Sequence, residues 1–336
     1  MPTSNMNRRR LLGASLALAG MAAVPEVRVL AEQVHDFIVG PPVADIAPRQ
    51  LSKRVWMIFA EDGFPTPENR GMMASVFFVV GRSGVVVIES GASLQIGEMA
   101  IRMIRRVTDK PVVAVFNSHF HGDHWLGNHA FVKHFGNVPI HALPHSIEMI
   151  KGAEGKLWRS LMERWTNQST AGTEVVVPNT PVHNGQVLRF DDIVLRMHHY
   201  GQAHTLGDLC IEVLDDRVTV VGDIAMTNRI ANIDEGSYPG TFRYYDALLA
   251  QAGEQLWAPG HGEPRHDLLQ TYGTFLRGIW EPCLQAVKDG KDESAARAMV
   301  LRDPRVTARA RTMQGFESNI GKYTSLAYLE AEKEAF

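Results

Sequence analysis

The sequence predicts a layered α/β fold, in which helices cover β-sheets, from three observations. Two apolar runs at 74–80 and 85–88 flank a Gly-Arg-Ser-Gly tetrapeptide, a pattern typical of a β-hairpin. Between 96 and 107, apolar residues recur every three or four positions with charged residues between them, which indicates an amphipathic helix lying on a sheet. Acidic pairs at 191–192 and 215–216 each separate two β-rich runs and predict further hairpins. Sheets with helices on their outer faces give a layered α/β body.

Length and composition are those of an ordinary enzyme. The chain has 336 residues, of which 45% are hydrophobic and 21% are charged, so it can bury one large core or two modest ones. The net charge of −3 provides no basic surface for a nucleic acid. We therefore expect a small-molecule substrate and no nucleic-acid partner.

Residues 1–31 are predicted to form an export signal. Arg8 and Arg9 precede two leucines and an apolar run at 14–24, which is too short to span a bilayer but suits a signal sequence. This pattern resembles a twin-arginine signal. Small residues before Glu32 predict cleavage there, which would leave a periplasmic mature chain without an integral membrane span. The alternatives are a Sec signal and an uncleaved amphipathic tail.

A dense group of metal-capable side chains follows the buried strand predicted at 111–116. These side chains are His119, His121, Asp123 and His124, on a strand-to-helix loop. A lone His-x-His pair is usually a pair of surface histidines. The added carboxylate and third histidine favour one end of a metal site, because imidazole and carboxylate are both common zinc ligands.

Three further candidates stand at the ends of predicted strands. His204 lies in a Gly-flanked loop, Asp223 follows an apolar strand, and His261 stands between two glycines. Each of them alone is better explained as an ordinary turn or loop residue. Together with the first group, they give the composition of a two-metal hydrolytic site.

The order of these motifs over residues 50–266 resembles that of the metallo-β-lactamase superfamily. The aspartate at position 223 is similar to the residue found there in the glyoxalase II branch and its hydrolase relatives. The resemblance implies a four-layer αββα sandwich with the metals at one edge. It also implies a ligand set, in which His119, His121 and His204 bind the first metal, Asp123, His124 and His261 bind the second, and Asp223 bridges them. The family usually has Asp where this chain has Glu89, which is one methylene longer and leaves its support of the histidine loop open.

The implied activity is that of a dinuclear zinc-dependent hydrolase. A metal-bridging hydroxide would cleave a thioester, ester, lactone or related carbonyl substrate, and Asp123 would orient the hydroxide and pass on its proton. We expect two Zn²⁺ ions per monomer, with iron as the alternative metal. Redox-type di-iron relatives have Glu at the position that His121 occupies here, and this difference favours zinc. The alternative functions are β-lactam hydrolysis and mononuclear iron persulfide dioxygenation.

The resemblance and the sequence outside it predict the domain organisation. We predict an extended lead-in at 32–50, a metallo-β-lactamase-like catalytic domain at 51–266 and a helical C-terminal extension at 267–336, with helices at 268–287 and 294–301. The export signal and the C-terminal sequence pattern resemble those of periplasmic zinc hydrolases that are associated with sulfur oxidation and quinoprotein systems. Neither the substrate nor the oligomeric state follows from the sequence.

The loop that follows Asp223 is long, polar and attached directly to a predicted ligand, a position that usually borders the substrate. Its residues Arg229, Asn232 and Tyr238 are able to hydrogen-bond a carbonyl or carboxylate, and they are equally well explained as solvated turn residues. We therefore leave them out of the predicted catalytic set.

Overall fold

The computed structural model describes residues 38–61, 63–230 and 235–335. The predicted export signal at residues 1–31 lies outside these described residues. Within them, no helix combines the length and the apolar character needed to cross a membrane.

The first sheet has seven strands that are arranged in chain order. Strands β1 to β4 are antiparallel, whereas β5 to β7 each run parallel to the strand before. The predicted hairpin is confirmed, because Val80 pairs with Val85 across its turn. The strands are β1 Arg49–Gln50, β2 Val55–Ile58, β3 Val76–Val80, β4 Val85–Ile88, β5 Val112–Phe116, β6 Ile140–Ala142 and β7 Thr180–Pro181.

The second sheet has five strands in the order β12-β11-β10-β9-β8. Both acidic pairs lie in turns between antiparallel neighbours, as predicted, and the second of them lies in a 3₁₀ turn. The edge strand β12 runs parallel to β11. The strands are β8 Val187–Phe190, β9 Ile193–His198, β10 Cys210–Val213, β11 Val218–Gly222 and β12 Leu256–Pro259.

Ten α-helices occur among the described residues. The amphipathic segment forms the first of them, and the hydroxyl of Ser93 caps its start by accepting from the amide of Ile96. The helices are α1 Leu94–Val107, α2 Gly122–Trp125, α3 Asn128–Phe135, α4 Pro144–Lys151, α5 Ala153–Trp165, α6 Tyr238–Ala252, α7 Leu268–Lys288, α8 Glu293–Val300, α9 Pro304–Ala310 and α10 Phe316–Ala335.

The two sheets pack face to face through a dry core. Phe77 and Phe116 of the first sheet meet Met197 and Ile211 of the second, and all four are fully buried. Burying each such side chain contributes about 1.5–3 kcal/mol. Helices α1 and α3 cover the outer face of the first sheet, and α6 and α7 belong to the core beside the second. The predicted αββα sandwich is therefore confirmed.

The helices at the C-terminal end pack mainly on one another. α7 contacts α8, α9 and α10, and α6 joins this group to the sandwich. The helical character predicted for 267–336 is thus present, while the boundaries at 31, 50 and 266 stay predictions.

The chain after the predicted metal cluster forms two short helices instead of one. α2 ends at Trp125, and α3 begins at Asn128, with Gly127 between them. Gly127 lies against the backbone of the neighbouring loop, because its amide donates to the carbonyl of Gly91 at 2.8 Å. A Cβ at this position would lie 1.9 Å from the carbonyl oxygen of Ser90. This close approach breaks the helix and fixes α2 on the end of β4.

We expect Gly127→Ala to lower the free energy of unfolding by about 1–3 kcal/mol, because the added methyl group overlaps the Ser90 backbone. Urea unfolding followed by circular dichroism measures the change. Gly321→Ala is the matched control, since its Cβ would meet nothing closer than 3.6 Å within helix α10. The control should leave stability unchanged or raise it by up to about 1 kcal/mol. Equal stabilities of the two variants would contradict the close-approach argument.

Candidate metal centre

Four chain segments at one edge of the sandwich bring all seven predicted ligand residues together. The loop after β5 carries His119 and His121, and α2 carries Asp123 and His124. The other three follow strands of the second sheet, each within a few residues of the strand end. They are His204 after β9, Asp223 after β11 and His261 after β12.

The seven side chains form two clusters, in each of which the ligand-type atoms lie within 4.8 Å of one another. One cluster is His119, His121, His204 and Asp223, and the other is Asp123, His124 and His261. In the first, Nδ1 of His121 lies 3.1 Å from Nε2 of His204. In the second, Nε2 of His261 lies 3.1 Å from Oδ2 of Asp123.

Asp223 belongs to the first cluster and also reaches the second. Its Oδ2 is 3.7 Å from Nε2 of His204 in the first cluster and 3.2 Å from Nε2 of His261 in the second. Its Oδ1 is 3.4 Å from Nε2 of His124. One carboxylate therefore reaches donors of both clusters, as a bridging ligand requires.

Glycines allow this convergence where a side chain would block it. A Cβ at Gly260 would lie 2.5 Å from Oδ1 of Asp223 and 2.6 Å from Cε1 of His124. Gly222 has a φ of +53°, and a Cβ there would lie 2.7 Å from the hydroxyl of Ser118. The Gly-Asp and Gly-His motifs thus bring the backbone close enough for the ligand residues to meet.

Hydrogen bonds to the far side of the imidazoles orient them. Nδ1 of His261 donates to the carbonyl of Met73 at 2.7 Å, which leaves Nε2 free to face the carboxylates. Nδ1 of His119 lies 2.9 Å from the hydroxyl of Ser118. Oδ2 of Asp208 accepts from the backbone amide of His204 at 2.8 Å and holds that loop. Asp208 was not predicted, although its His-Thr-Leu-Gly-Asp motif is visible in the sequence.

Glu89 reaches the second cluster despite its extra methylene. Its Oε2 accepts from the amide of Ser118 at 3.3 Å, and its Oε1 lies 3.3 Å from Nδ1 of His124 without hydrogen-bond alignment. The side chain is fully buried, and its backbone adopts φ +62°, which is unfavourable for a residue other than glycine. The strained backbone of Glu89 therefore occurs at a residue whose carboxylate contacts the ligand loop, and backbone strain of this kind is concentrated at functional sites.

Electrostatics divide the five histidines into two groups. Burial lowers the pKa of His121 to about 3, and burial and neighbouring histidines lower the pKa of His119 and His204. These three imidazoles are therefore neutral, which is the form that binds a metal. Burial also opposes a charge on His124 and His261. Asp123, Asp223 and Glu89 nevertheless raise the pKa of His124 well above the ordinary value, and Asp223 and Asp123 raise the pKa of His261 against burial and Arg229.

The carboxylates of the clusters stay ionised. Burial acts against this, but His124 and His261 hold the pKa of Asp123 and Asp223 well below the usual range. Concentrated negative charge next to neutral imidazoles suits a divalent cation, which would replace the protons on His124 and His261.

Unpaired buried atoms test whether the residues fit a metal. Nε2 of His119, Nε2 of His124 and Oδ1 of Asp223 are buried and have no hydrogen-bond partner. Donors that bind zinc tetrahedrally at 2.0–2.1 Å are separated from one another by about 3.4 Å. The separations of 3.2–4.0 Å around Asp223 match this spacing. The donor set therefore fits divalent metal ions.

A cavity of about 730 Å³ opens above the clusters. Asp123, Asp223 and His261 lie on its inner side, and Trp158 of α5 covers His121 with ring centroids 4.9 Å apart. A Cβ at Gly122 would lie 2.7 Å from Cβ of Trp158, so glycine is required for this contact. Sequence reasoning missed Trp158, because helix α5 carries no motif.

Of the two polar candidates that the structure describes in the loop after Asp223, one lies at this cavity. Arg229 lines the cavity and is 3% exposed. Tyr238 is buried elsewhere, and its hydroxyl donates to the carbonyl of Tyr323 at 2.9 Å. Asn232 lies outside the described residues.

Comparisons with known proteins agree with this architecture. A family model described as "Metallo-beta-lactamase superfamily" matches residues 69–284. A metallo-beta-lactamase from Pontibacter korlensis has a TM-score of 0.53 at 15% identity over 66% of this chain and 94% of that chain. DIM-1 metallo-beta-lactamase exposed to ceftazidime has a TM-score of 0.53 at 13% identity over 70% and 97%. VMB-1 has a TM-score of 0.53 at 15% identity over 68% and 95%. At these identities the likeness shows the fold alone.

We expect Asp223→Ala to lower the metal content of the purified protein by at least half, because this carboxylate contacts both clusters. Glu89→Gln is the contrasting variant, since it keeps the shape of a side chain that contacts Ser118 and the outer nitrogen of His124 but reaches only one cluster. Loss of such an outer partner should weaken metal binding about 10–100-fold. Elemental analysis after dialysis against a graded chelator measures both effects. An Asp223→Ala protein that keeps its full metal content would contradict the bridging position.

Proposed function

The chain belongs to the metallo-β-lactamase superfamily, and on that premise we propose that it is a dinuclear zinc-dependent hydrolase of a thioester, ester, lactone or related carbonyl substrate. The observation that carries the proposal is the position of Asp223 between two clusters of histidine and aspartate donors. A site of this kind has room for two ions, and its ligands are nitrogen and carboxylate oxygen atoms, which zinc prefers.

The proposed assignment follows the two clusters. His119, His121 and His204 would hold one ion, and Asp123, His124 and His261 would hold the other. Asp223 would bind both. Bound divalent ions supply a water of lowered pKa and polarise a carbonyl group.

Residues of the chain perform the other tasks. Asp123 lies at the inner end of the cavity, where its carboxylate is placed to orient the attacking water and to accept its proton. Met73 and Ser118 keep the imidazoles of His261 and His119 turned inward. Apolar side chains form one wall of the cavity.

The composition of the cavity supports water as the nucleophile. Among the described residues that line it, none is a serine, threonine, cysteine or lysine. These four residue types are the usual nucleophiles of covalent acyl transfer, in which a base or a lowered pKa activates them. Aspartate at position 223 is the observation that supports the glyoxalase II-like branch.

Metal content and hydrolysis test this proposal together. We expect the purified protein to contain about two zinc ions per monomer and to hydrolyse at least one class in a panel of thioesters, lactones, aryl esters and a chromogenic cephalosporin. Asp123→Asn should lower kcat by about 10²–10⁴, because it removes the proton acceptor. One iron per monomer with negligible zinc, together with persulfide oxidation, would favour the dioxygenase instead. A two-zinc protein with hydrolysis restricted to the cephalosporin would favour the β-lactamase.

We also propose export by the twin-arginine route, from the pattern around Arg8 and Arg9. The triple change Arg8→Lys, Arg9→Lys and Arg10→Lys keeps the positive charge but removes the arginine pair. We expect the protein to remain in the cytoplasm in this variant, as measured by cell fractionation, because the twin-arginine route requires the arginine pair. A Sec signal, in contrast, accepts lysine in its charged region. Wild-type levels of shortened protein in the periplasm would refute this route.

A further inference from the structure

We propose that the substrate of this site is an amphipathic anion, in which a carboxylate binds Arg229 and a large apolar group lies on the wall formed by helix α5. This inference rests on the proposed hydrolase function and specifies its substrate class. The carboxylate is separate from the scissile carbonyl, which would lie at the metal clusters.

The apolar wall is defined by Phe64, Leu157, Trp158, Leu161, Met162 and Trp165, all of which line the cavity. Three of these large side chains are exposed, with Phe64 at 43%, Leu157 at 47% and Trp165 at 38%. Exposed apolar side chains that gather around one cavity mark a ligand-binding groove. Their position beside the clusters makes an apolar part of the substrate the fitting occupant.

Arg229 places a buried positive charge in the same cavity. Its Nη1 donates to the carbonyl of Gly63 at 2.6 Å, and its guanidinium carbon lies 5.1 Å from the centroid of the Phe64 ring. Its Nε is buried without a hydrogen-bond partner. No ion pair joins Arg229 to a carboxylate in the described part of the chain. A desolvated guanidinium with unused donors is a binding site for a carboxylate.

The imidazole of His261 lies next to Arg229 but accepts no hydrogen bond from it. Nη1 lies 3.1 Å from Nδ1 of His261, but that nitrogen already donates to the carbonyl of Met73, so two donors face each other. An anion at Arg229 would relieve this unfavourable contact.

The C-terminal segment holds the arginine in place. The amide of Ile230 donates to the carbonyl of Gln314 at 3.0 Å, and the amide of Gln314 donates to the carbonyl of Asn228 at 2.8 Å. Asn319 of α10 donates to the carbonyl of Ile230 at 2.9 Å and also lines the cavity. The backbone is therefore anchored on both sides of Arg229. A side chain on a fixed backbone is suited to selecting a substrate, because its position is set before the substrate binds.

The cavity also contains carboxylates, which limit where an anion can bind. Asp123 and Asp223 contact His124 and His261. Glu154 and Glu235 line the cavity as well. An anionic group would avoid these side chains, so the position next to Arg229 is the favoured one.

A matched pair of esters tests the carboxylate site. Mono-4-nitrophenyl suberate and 4-nitrophenyl octanoate have the same acyl length and differ in the terminal carboxylate. We expect the wild type to prefer the suberate at least tenfold in kcat/KM, and Arg229→Gln to reduce this preference about 10–100-fold, mainly through KM. Because the preference is a ratio of two kcat/KM values measured on the same protein, it cancels any effect of the substitution that both esters share. Arg302→Gln, at an exposed arginine outside the cavity, is the control and should behave as wild type.

A retained preference in Arg229→Gln, with octanoate hydrolysis intact, would overturn the carboxylate assignment. Metal content and circular dichroism must match the wild type in this comparison, since Arg229 contacts His261. Arg229→Lys keeps the charge but not the planar donor pair, and it should recover only part of the preference.

Binding without turnover separates this inference from the hydrolase proposal. Tryptophan fluorescence, to which Trp158 and Trp165 contribute, would report the binding of 6-phenylhexanoate and of the neutral 6-phenylhexan-1-ol. We expect Arg229→Gln to weaken binding of the acid at least tenfold and to leave the alcohol unchanged. Equal weakening of both ligands, or of neither, would overturn the inference. If the wild type hydrolyses no ester, thioester, lactone or lactam, the proposed function fails, while this binding comparison still decides the role of Arg229.

The apolar wall has its own variant. Leu161→Ala should reduce the preference for 4-nitrophenyl octanoate over 4-nitrophenyl acetate about 3–10-fold, because it removes apolar contact area from the wall. An unchanged preference would mean that the acyl chain binds elsewhere, and the apolar half of the inference would be wrong.

Discussion

The position of a single buried carboxylate, Asp223, constrains the rest of this structure. It is 5% exposed and lies against imidazoles of both clusters. A buried carboxylate is costly unless positive charge compensates it. The same loops therefore need nearby cations or donors, and the fold supplies five imidazoles from both sheets.

Several features that look unfavourable in isolation follow from this requirement. Glu89 adopts a left-handed backbone conformation with a fully buried carboxylate, and Gly222 and Gly260 give up side chains at strand ends. Behind them, Asn117 and Asn128 form a buried hydrogen-bonded pair, and Asn117 also donates to the carbonyl of His124 at 3.2 Å. The dry core between the sheets offsets these local costs, because it buries large side chains without polar groups.

The C-terminal helices connect the site to the second sheet. The hydroxyl of Tyr238 at the start of α6 donates to the carbonyl of Tyr323 in α10, and the amide of Tyr238 donates to Glu330 at 2.7 Å. Helix α10 thus holds the start of α6, and Gln314 holds Asn228 and Ile230 in the loop after Asp223. Asn319 of α10 lines the cavity, while the loops of the sandwich carry the candidate ligands.

The sequence by itself determined the hairpins, the amphipathic helix and the identity of the seven donor residues. Those signals are local, because periodicity and motif spacing report how a short segment meets a sheet. The family resemblance then gave the order of the layers. The pairing of donors into two clusters required the contacts between segments more than eighty residues apart, such as His121 with His204.

Only the tertiary structure decided the surroundings of the site. Trp158 on an ordinary amphipathic helix, and Arg229 in a polar loop, carry no motif, so their chemistry depends on what the fold places beside them. The same holds for Gly127, whose sequence neighbours favour a continuous helix until the Ser90 backbone approaches. Long-range packing determines whether a polar residue is solvated or buried, and this is the physical reason why a local pattern cannot predict it.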